Sequence, residues 1–249
     1  MQDPHSADRS LKAKLRRRAV RLTVRKPARA PDRPMLSFAF DDAPATAARI
    51  GAKVLEQRGL RGSYFIAAGL AEADSPSGQI ASLSDVARLA EAGHEIGCHT
   101  HSHLDCGQTA TDRVLEDVEH NRETLAALGL PCPRTFAYPY GDVSFGPKRA
   151  LSRRFTLMRA LHHGLIGGGS DLNQAPAVGI EGKDGELTAR RWLARAAATR
   201  SWLILYTHDV CDDPSDWGCT PGALGGLADA ALDGGFDVVT VAEGARRLG

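Results

Sequence analysis

His99, His101 and His103 stand on alternate positions of the stretch EIGCHTHSHL, residues 95–104, with His94 just ahead of it. Four of the chain's nine histidines therefore fall within ten positions, a density that points to a metal site. In a helical turn His99 and His103 share one face, whereas in an extended chain His99, His101 and His103 do. The spacing alone leaves both sets open. Asp41 and Asp42 end the apolar run MLSFAF, and their side chains must diverge because a strand alternates its faces. One carboxylate can then ligate a metal while the other faces a reacting atom. One aspartate oxygen with two imidazoles makes a coordinatively open site of catalytic type. Zinc suits these donors, and cobalt, nickel or manganese would accept them as well. His208 ends another long apolar run, WLILYTHD, and is a candidate general acid if it shares a rim with the metal. The turn YPYG, residues 138–141, offers backbone N–H groups to an oxyanion.

These residues need elements to carry them. From residue 35 onward apolar strand candidates alternate with helical patterns: MLSFAF, GSYFIAA, HEIGCH, RTFAYP, Phe155–Ala160, SWLILYTHD and FDVVTV are the strands. Ile50, Val54 and Leu55 mark a first helix that stops at Gly59, and Ser84 reads as the N-cap of a second. A longer helix runs from Thr111 to about Leu128, with others over 187–198 and 222–233. Such alternation predicts parallel strands joined by crossover helices, in a barrel or an incomplete barrel. FAFDD, EIGCHTHSH, FAYPYGD and LILYTHD each place Asp, His or Tyr at the C-terminal end of a strand. In β/α barrels that end forms the active-site face.

Composition sets the class. Hydrophobic content of 43% and charged content of 24% are ordinary for a globular protein. No apolar run approaches the ~18–20 residues of a membrane helix. The first residues, MQDPHSADRS, lack an apolar leader core, and the five cysteines form no C-x-x-C pair. Both features predict a cytoplasmic protein. The net charge of +1 hides an asymmetry: residues 1–33 hold 11 of the 31 basic residues and three of the 30 acidic ones. That basic arm carries +8 and the remainder −7, so residues 1–33 are set apart from a domain over 34–249. Residues 9–33 suit peripheral contact with the anionic face of an inner membrane. A basic arm lying on the acidic body, across a homodimer, is the other reading. No aromatic residue lies in the arm, so base stacking on nucleic acid has no support there. Trp192, Trp202 and Trp217 are either sugar-stacking surfaces or core.

Taken together and in this order, FAFDDAP, HEIGCHTHSH, RTFAYPYGD and WLILYTHD resemble the polysaccharide deacetylases of carbohydrate esterase family 4. The resemblance covers about residues 35–245. The tail THDVCDDPSDWGCTPGAL is most similar to the subgroup that deacetylates holdfast polysaccharide. The resemblance implies a distorted, incomplete (β/α) barrel with parallel strands and a metal-dependent N-deacetylase. Its partner would be an N-acetylated glycan, either a bacterial polysaccharide or its lipid-linked precursor. It implies that Asp41 is the catalytic base and that Asp42, His99 and His103 hold the metal. Tyr140 would contact the oxyanion through its N–H, and His208 would be the acid. The family's usual glycine after the aspartate pair is Ala43 here. Its usual base-orienting arginine is Ala137, so Arg159, or failing it Arg134, must substitute. Asp171 or Asp184 would polarise His208. With that arginine displaced, an inactive metal- and glycan-binding protein of the same fold is the alternative. A two-histidine, one-carboxylate set also describes iron(II) oxygenases, but the β/α alternation argues against their scaffold.

Overall fold

The structure is a computed structural model that describes residues 20–249. The part of the expected basic arm over residues 1–19 lies outside the described residues. Strand β1 (Met35–Asp41) is buried at all seven positions, as expected of a parallel strand covered on both faces. It pairs in parallel with β9 (Trp202–Thr207) on one side and β2 (Ser63–Ile66) on the other. Beyond β2 come β5 (Glu95–Cys98), β6 (Thr135–Ala137) and β7 (Leu157–Arg159), while β8 (Val178–Gly179) lies outside β9. The short β10 (Asp237–Val238) pairs with the start of β1.

The sheet curls almost shut. Ala175 donates to the Met158 carbonyl and accepts from Ala160 N at 2.8 and 2.9 Å, and three residues later the same segment enters β8 beside β9. A thin seam thus joins the two edges into the incomplete barrel that the alternation predicts. The described end of the basic arm is bonded to that seam. Lys148, fully buried, donates to Val20 O at 2.9 Å and pairs with Asp171 at 2.5 Å. Asp171 also accepts from Arg25 N, and the Arg25 guanidinium reaches Phe155 O at 2.7 Å. Among the described residues no helix is long and apolar enough to cross a membrane.

Four local expectations are corrected. The second helix, Leu83–Glu91, is capped by Ser82 rather than Ser84, because Ser82 and Asp85 form a reciprocal capping box. Ile50 is 40% exposed, since the chain after β1 winds as a π turn over Ala47–Gly51, which shifts the helical phase. FDVVTV gives only a two-residue strand, because Thr240 already caps the last helix, Val241–Leu248. His94 sits just before β5 as a structural group: its Nδ1 accepts from Gly62 N and its Nε2 meets Glu56, both at 3.0 Å. A hairpin without a sequence signature, β3 (Asp74–Ser75) with β4 (Gly78–Gln79), brings Ser75–Ser77 over the barrel mouth.

Candidate active site

β1 delivers Asp41 buried at its last position, and the chain then turns through two left-handed residues, Asp42 (φ 56°) and Ala43 (φ 51°). Five of the seven described non-glycine residues with positive φ lie in these rim turns: Asp42, Ala43, Thr100, His103 and Tyr140. Strain of this kind collects where side-chain aim matters more than backbone comfort. After β5, the left-handed Thr100 and His103 make HTHSH neither helical nor extended. His99 and His103 turn inward together. His101 turns out, with its N–H on Asp117 at 2.7 Å and its ring stacked on His120 at 3.8 Å.

Asp42 Oδ1 lies 3.6 Å from His99 Nε2 and 3.5 Å from His103 Nε2, and the three ligand atoms fall within 4.8 Å of one another. That oxygen is buried and has no hydrogen-bond partner among the described residues. His99 Nδ1 is 2.8 Å from the Ala137 carbonyl, so it carries the proton and leaves the Nε2 lone pair facing Asp42. Burial, and then His103, push the His99 ring down to about 4, which keeps it neutral. A buried, unsatisfied carboxylate oxygen facing an imidazole lone pair fits a divalent cation. It does not fit a salt bridge.

Asp41 stays outside this cluster. Its Oδ1 accepts from the Arg159 guanidinium, which is completely buried. Burial pushes the Asp41 carboxyl upward, but Arg159, His99 and His208 together outweigh it and hold the group below its ordinary value. Ala137 on β6 pairs in register with Arg159 on β7, so the guanidinium reaches the site from one strand further out at the same level. Arg134 is exposed, and among the described residues it is its carbonyl that is engaged, by Thr156.

His208 follows β9, with its Nδ1 3.0 Å from Glu181 Oε1. Burial alone would lower this histidine, but the hydrogen bond to Glu181, with Asp41 and Asp42 nearby, raises it to about 9. Neither aspartate expected to polarise it does so. Asp171 is taken up by Lys148 and Arg25, and Asp184 is the exposed N-cap of the helix Gly185–Thr199. Glu181 follows β8 in the stretch VGIE, which repeats in miniature the other four strand ends, an apolar run closed by a reactive polar residue. Tyr140 packs its ring on His103 at 4.5 Å, and Trp217 lines the cavity with Leu161. Trp202 is core, donating to Ser37 Oγ at 3.0 Å, and Trp192 carries Arg195 over its ring.

The curled parallel sheet thus brings an Asp–His–His cluster, an arginine-paired aspartate and a carboxylate-backed histidine to one rim. The polysaccharide deacetylase family model matches residues 28–153, half of the chain, and the chain belongs to that family. The match takes in Asp41, Asp42, His99, His103 and Tyr140 but stops short of Arg159, Glu181 and His208. Chitin deacetylase 1 of Saccharomyces cerevisiae is 30% identical over 123 residues, which is 49% of this chain and 36% of that protein. Chitin deacetylase 2 of the same yeast is 31% identical over 74 residues, 30% of this chain and 23% of that one. The matched stretches thus span well under half of either relative. The chitin deacetylase of the fungal pathogen Colletotrichum lindemuthianum shares the fold, with a TM-score of 0.60 at 17% identity over 89% of this chain and 92% of that one. So does a family 4 acetyl xylan esterase from Clostridium thermocellum in complex with a cobalt ion, with a TM-score of 0.59 at 17% identity over 84% and 89%.

Proposed function

We propose that this protein is a metal-dependent N-deacetylase that removes acetyl groups from N-acetylated amino sugars of a bacterial polysaccharide or its lipid-linked precursor. The observation that carries the reading is the division of labour at the rim: three donors converge while Asp41, equally close in sequence, is held apart by Arg159. Asp42, His99 and His103 would hold the ion, zinc by preference, and a divalent metal there supplies Lewis-acid polarisation of the amide carbonyl and acidifies water. Asp41, ionised and uncoordinated, accepts the proton of the attacking water. The Tyr140 N–H donates to the oxygen that gains charge as the carbonyl carbon becomes tetrahedral. His208, protonated through neutral pH, gives its proton to the nitrogen as the C–N bond breaks. Water and amide become acetate and a free amine, and Asp41 must pass its proton on before the next cycle. Glu181 holds the His208 ring in the tautomer this needs.

The test is acetate release from N-acetylglucosamine oligomers by zinc-loaded protein, with and without chelator. His103→Ala should lose bound metal and acetate release together, and His101→Ala should keep stoichiometric metal. Metal retained by His103→Ala would overturn the ligand set. Metal bound with no acetate from any acetylated oligomer would leave a binding protein.

Residues 34–249 are the catalytic unit in this reading and residues 1–33 are an arm that draws it to the anionic inner leaflet of the cytoplasmic membrane. Support comes from Leu22 and Val24, 79% and 47% exposed, directly after a run holding six Lys or Arg in residues 9–18. At about 1 kcal/mol for each cation near an anionic surface, deleting residues 1–19 should weaken binding to phosphatidylglycerol vesicles by more than about 100-fold. The bonded segment from Val20 onward is left intact by that deletion. Equal binding before and after it would sink the idea.

A further inference from the structure

Arg159 reaches Asp41 from an unusual direction. The strand order β7-β6-β5-β2-β1 puts three strands between them, so the side chain crosses the barrel interior instead of coming from a neighbouring strand. A fully buried guanidinium needs partners, and this one has few. One amino group holds Asp41, the other is a long 3.4 Å from Ala160 O, and its Nε is buried without a hydrogen-bond partner among the described residues. What covers it is aromatic. Its central carbon lies 5.1 Å from the centroid of the Phe65 ring and 5.2 Å from that of Tyr206.

The sheet is built to place both rings there. Phe65 stands opposite Asp41 in the β1–β2 register, and Tyr206 stands opposite Ala39 in the β1–β9 register, so the two flank the end of β1. Each also has a glycine as its register partner on the next strand outward, Gly97 for Phe65 and Gly179 for Tyr206. A Cβ on Gly97 would come within 2.6 Å of two Phe65 ring carbons, and one on Gly179 within 2.9 Å of Glu181 Oε2. Missing side chains here give the ring on one side, and the acid-side carboxylate on the other, their room.

We infer that Phe65 and Tyr206 are positioning residues: they form an aromatic clamp, seated by Gly97, that fixes the plane of Arg159 and through it the aim of the Asp41 carboxylate. The inference rests on Asp41 being the base of a deacetylase. Cation–π contact strengthens when the cation is desolvated, as it is here, so the two ring faces stand in for the water and strand neighbours the guanidinium lacks. With its faces held, the guanidinium can rotate only by losing both rings, and Asp41 keeps one oxygen on Arg159 and the other toward the cavity. The clamp is what allows an arginine on β7 to serve a barrel that has alanine at position 137.

A double-mutant cycle tests this. Tyr206→Leu should lower kcat about 10-fold or more, with KM for N-acetylglucosamine oligomers and bound metal unchanged. Tyr206→Phe, which keeps the ring and gives up the hydroxyl's contact with Glu181, should keep kcat well above that of Tyr206→Leu. In an Arg159→Met background Tyr206→Leu should cost no more than Tyr206→Phe. Additive losses, or Tyr206→Phe as damaging as Tyr206→Leu, would overturn the clamp. A second readout does not depend on turnover. In protein labelled with nitrogen-15 arginine, the Arg159 Nε–H signal should be ring-shifted upfield and exchange slowly, and Tyr206→Leu should abolish the shift and speed exchange at least about 10-fold. An unshifted, fast-exchanging signal in the wild type overturns the clamp even if no acetate is ever released. A shifted signal without acetate from wild type would retain the clamp and reject the deacetylase.

Discussion

Asp41→Asn is expected to cut acetate release by about 10²–10⁴-fold, the usual worth of a positioned general base, while the protein still binds one metal equivalent. The two halves of that result come from different atoms. The converging donors belong to Asp42, His99 and His103, none of which the substitution touches. What it removes is the anion that faces Arg159 inside the barrel. The guanidinium is then left buried against a neutral amide, and breaking a buried pair from one side costs about 3–5 kcal/mol. At ~2–4 °C per kcal/mol for a chain of this size, Tm should fall by about 6–20 °C. Lost activity could therefore be mistaken for lost fold. The double variant Asp41→Asn/Arg159→Met separates them: replacing the orphaned cation by an apolar side chain should restore much of the stability and none of the activity. If the double variant regains turnover, Asp41 is not the base. If Asp41→Asn alone loses its metal, the carboxylate is a ligand and the division of labour at the rim is wrong.

The barrel was legible because its central strands bury both faces. β1 and β9 appear as unbroken apolar runs, and such runs followed by Asp or His at their C-terminal ends mark one rim of a parallel barrel. Arg159 was sought only because the resemblance requires an arginine that position 137 lacks, and its place at the end of a strand candidate set it ahead of Arg134; the structure bonds it to Asp41. Glu181 was not legible, because β8 has only two residues and the Ile–Glu that follows is too brief to show a period. The divergence of His101 from its neighbours depends on left-handed Thr100 and His103, conformations that neither residue type advertises. The clamp is hidden more deeply. Phe65 and Tyr206 read as ordinary strand aromatics, and Gly97 and Gly179 as weak points in their strands. Only register sets each ring beside a glycine and both rings around a cation from a strand across the barrel.

Glu181→Gln should move the alkaline limb of the pH–rate profile down by about one to two pH units. In the wild type, burial lowers His208, but the charge-assisted bond from its Nδ1 to Glu181 and the negative charges of Asp41 and Asp42 together outweigh it and raise the group to about 9. The acid form is therefore filled at neutral pH and is lost as pH rises through that value. Glutamine keeps an oxygen for the Nδ1–H, so the ring stays aimed, but the negative charge is gone and burial acts with less opposition. A cation on Asp42 would take back part of the rise in both proteins alike, so the comparison between them keeps its sign. Stability follows the same linkage. A histidine whose folded value lies above its unfolded 6.5 contributes stability that is whole below pH 6.5 and is lost as pH climbs through about 9. Wild-type Tm should fall across that window, and the Glu181→Gln protein should show a shallower slope there. An alkaline limb that does not move would mean that the group leaving with its proton at high pH is not His208, and the acid would have to be sought elsewhere on the rim.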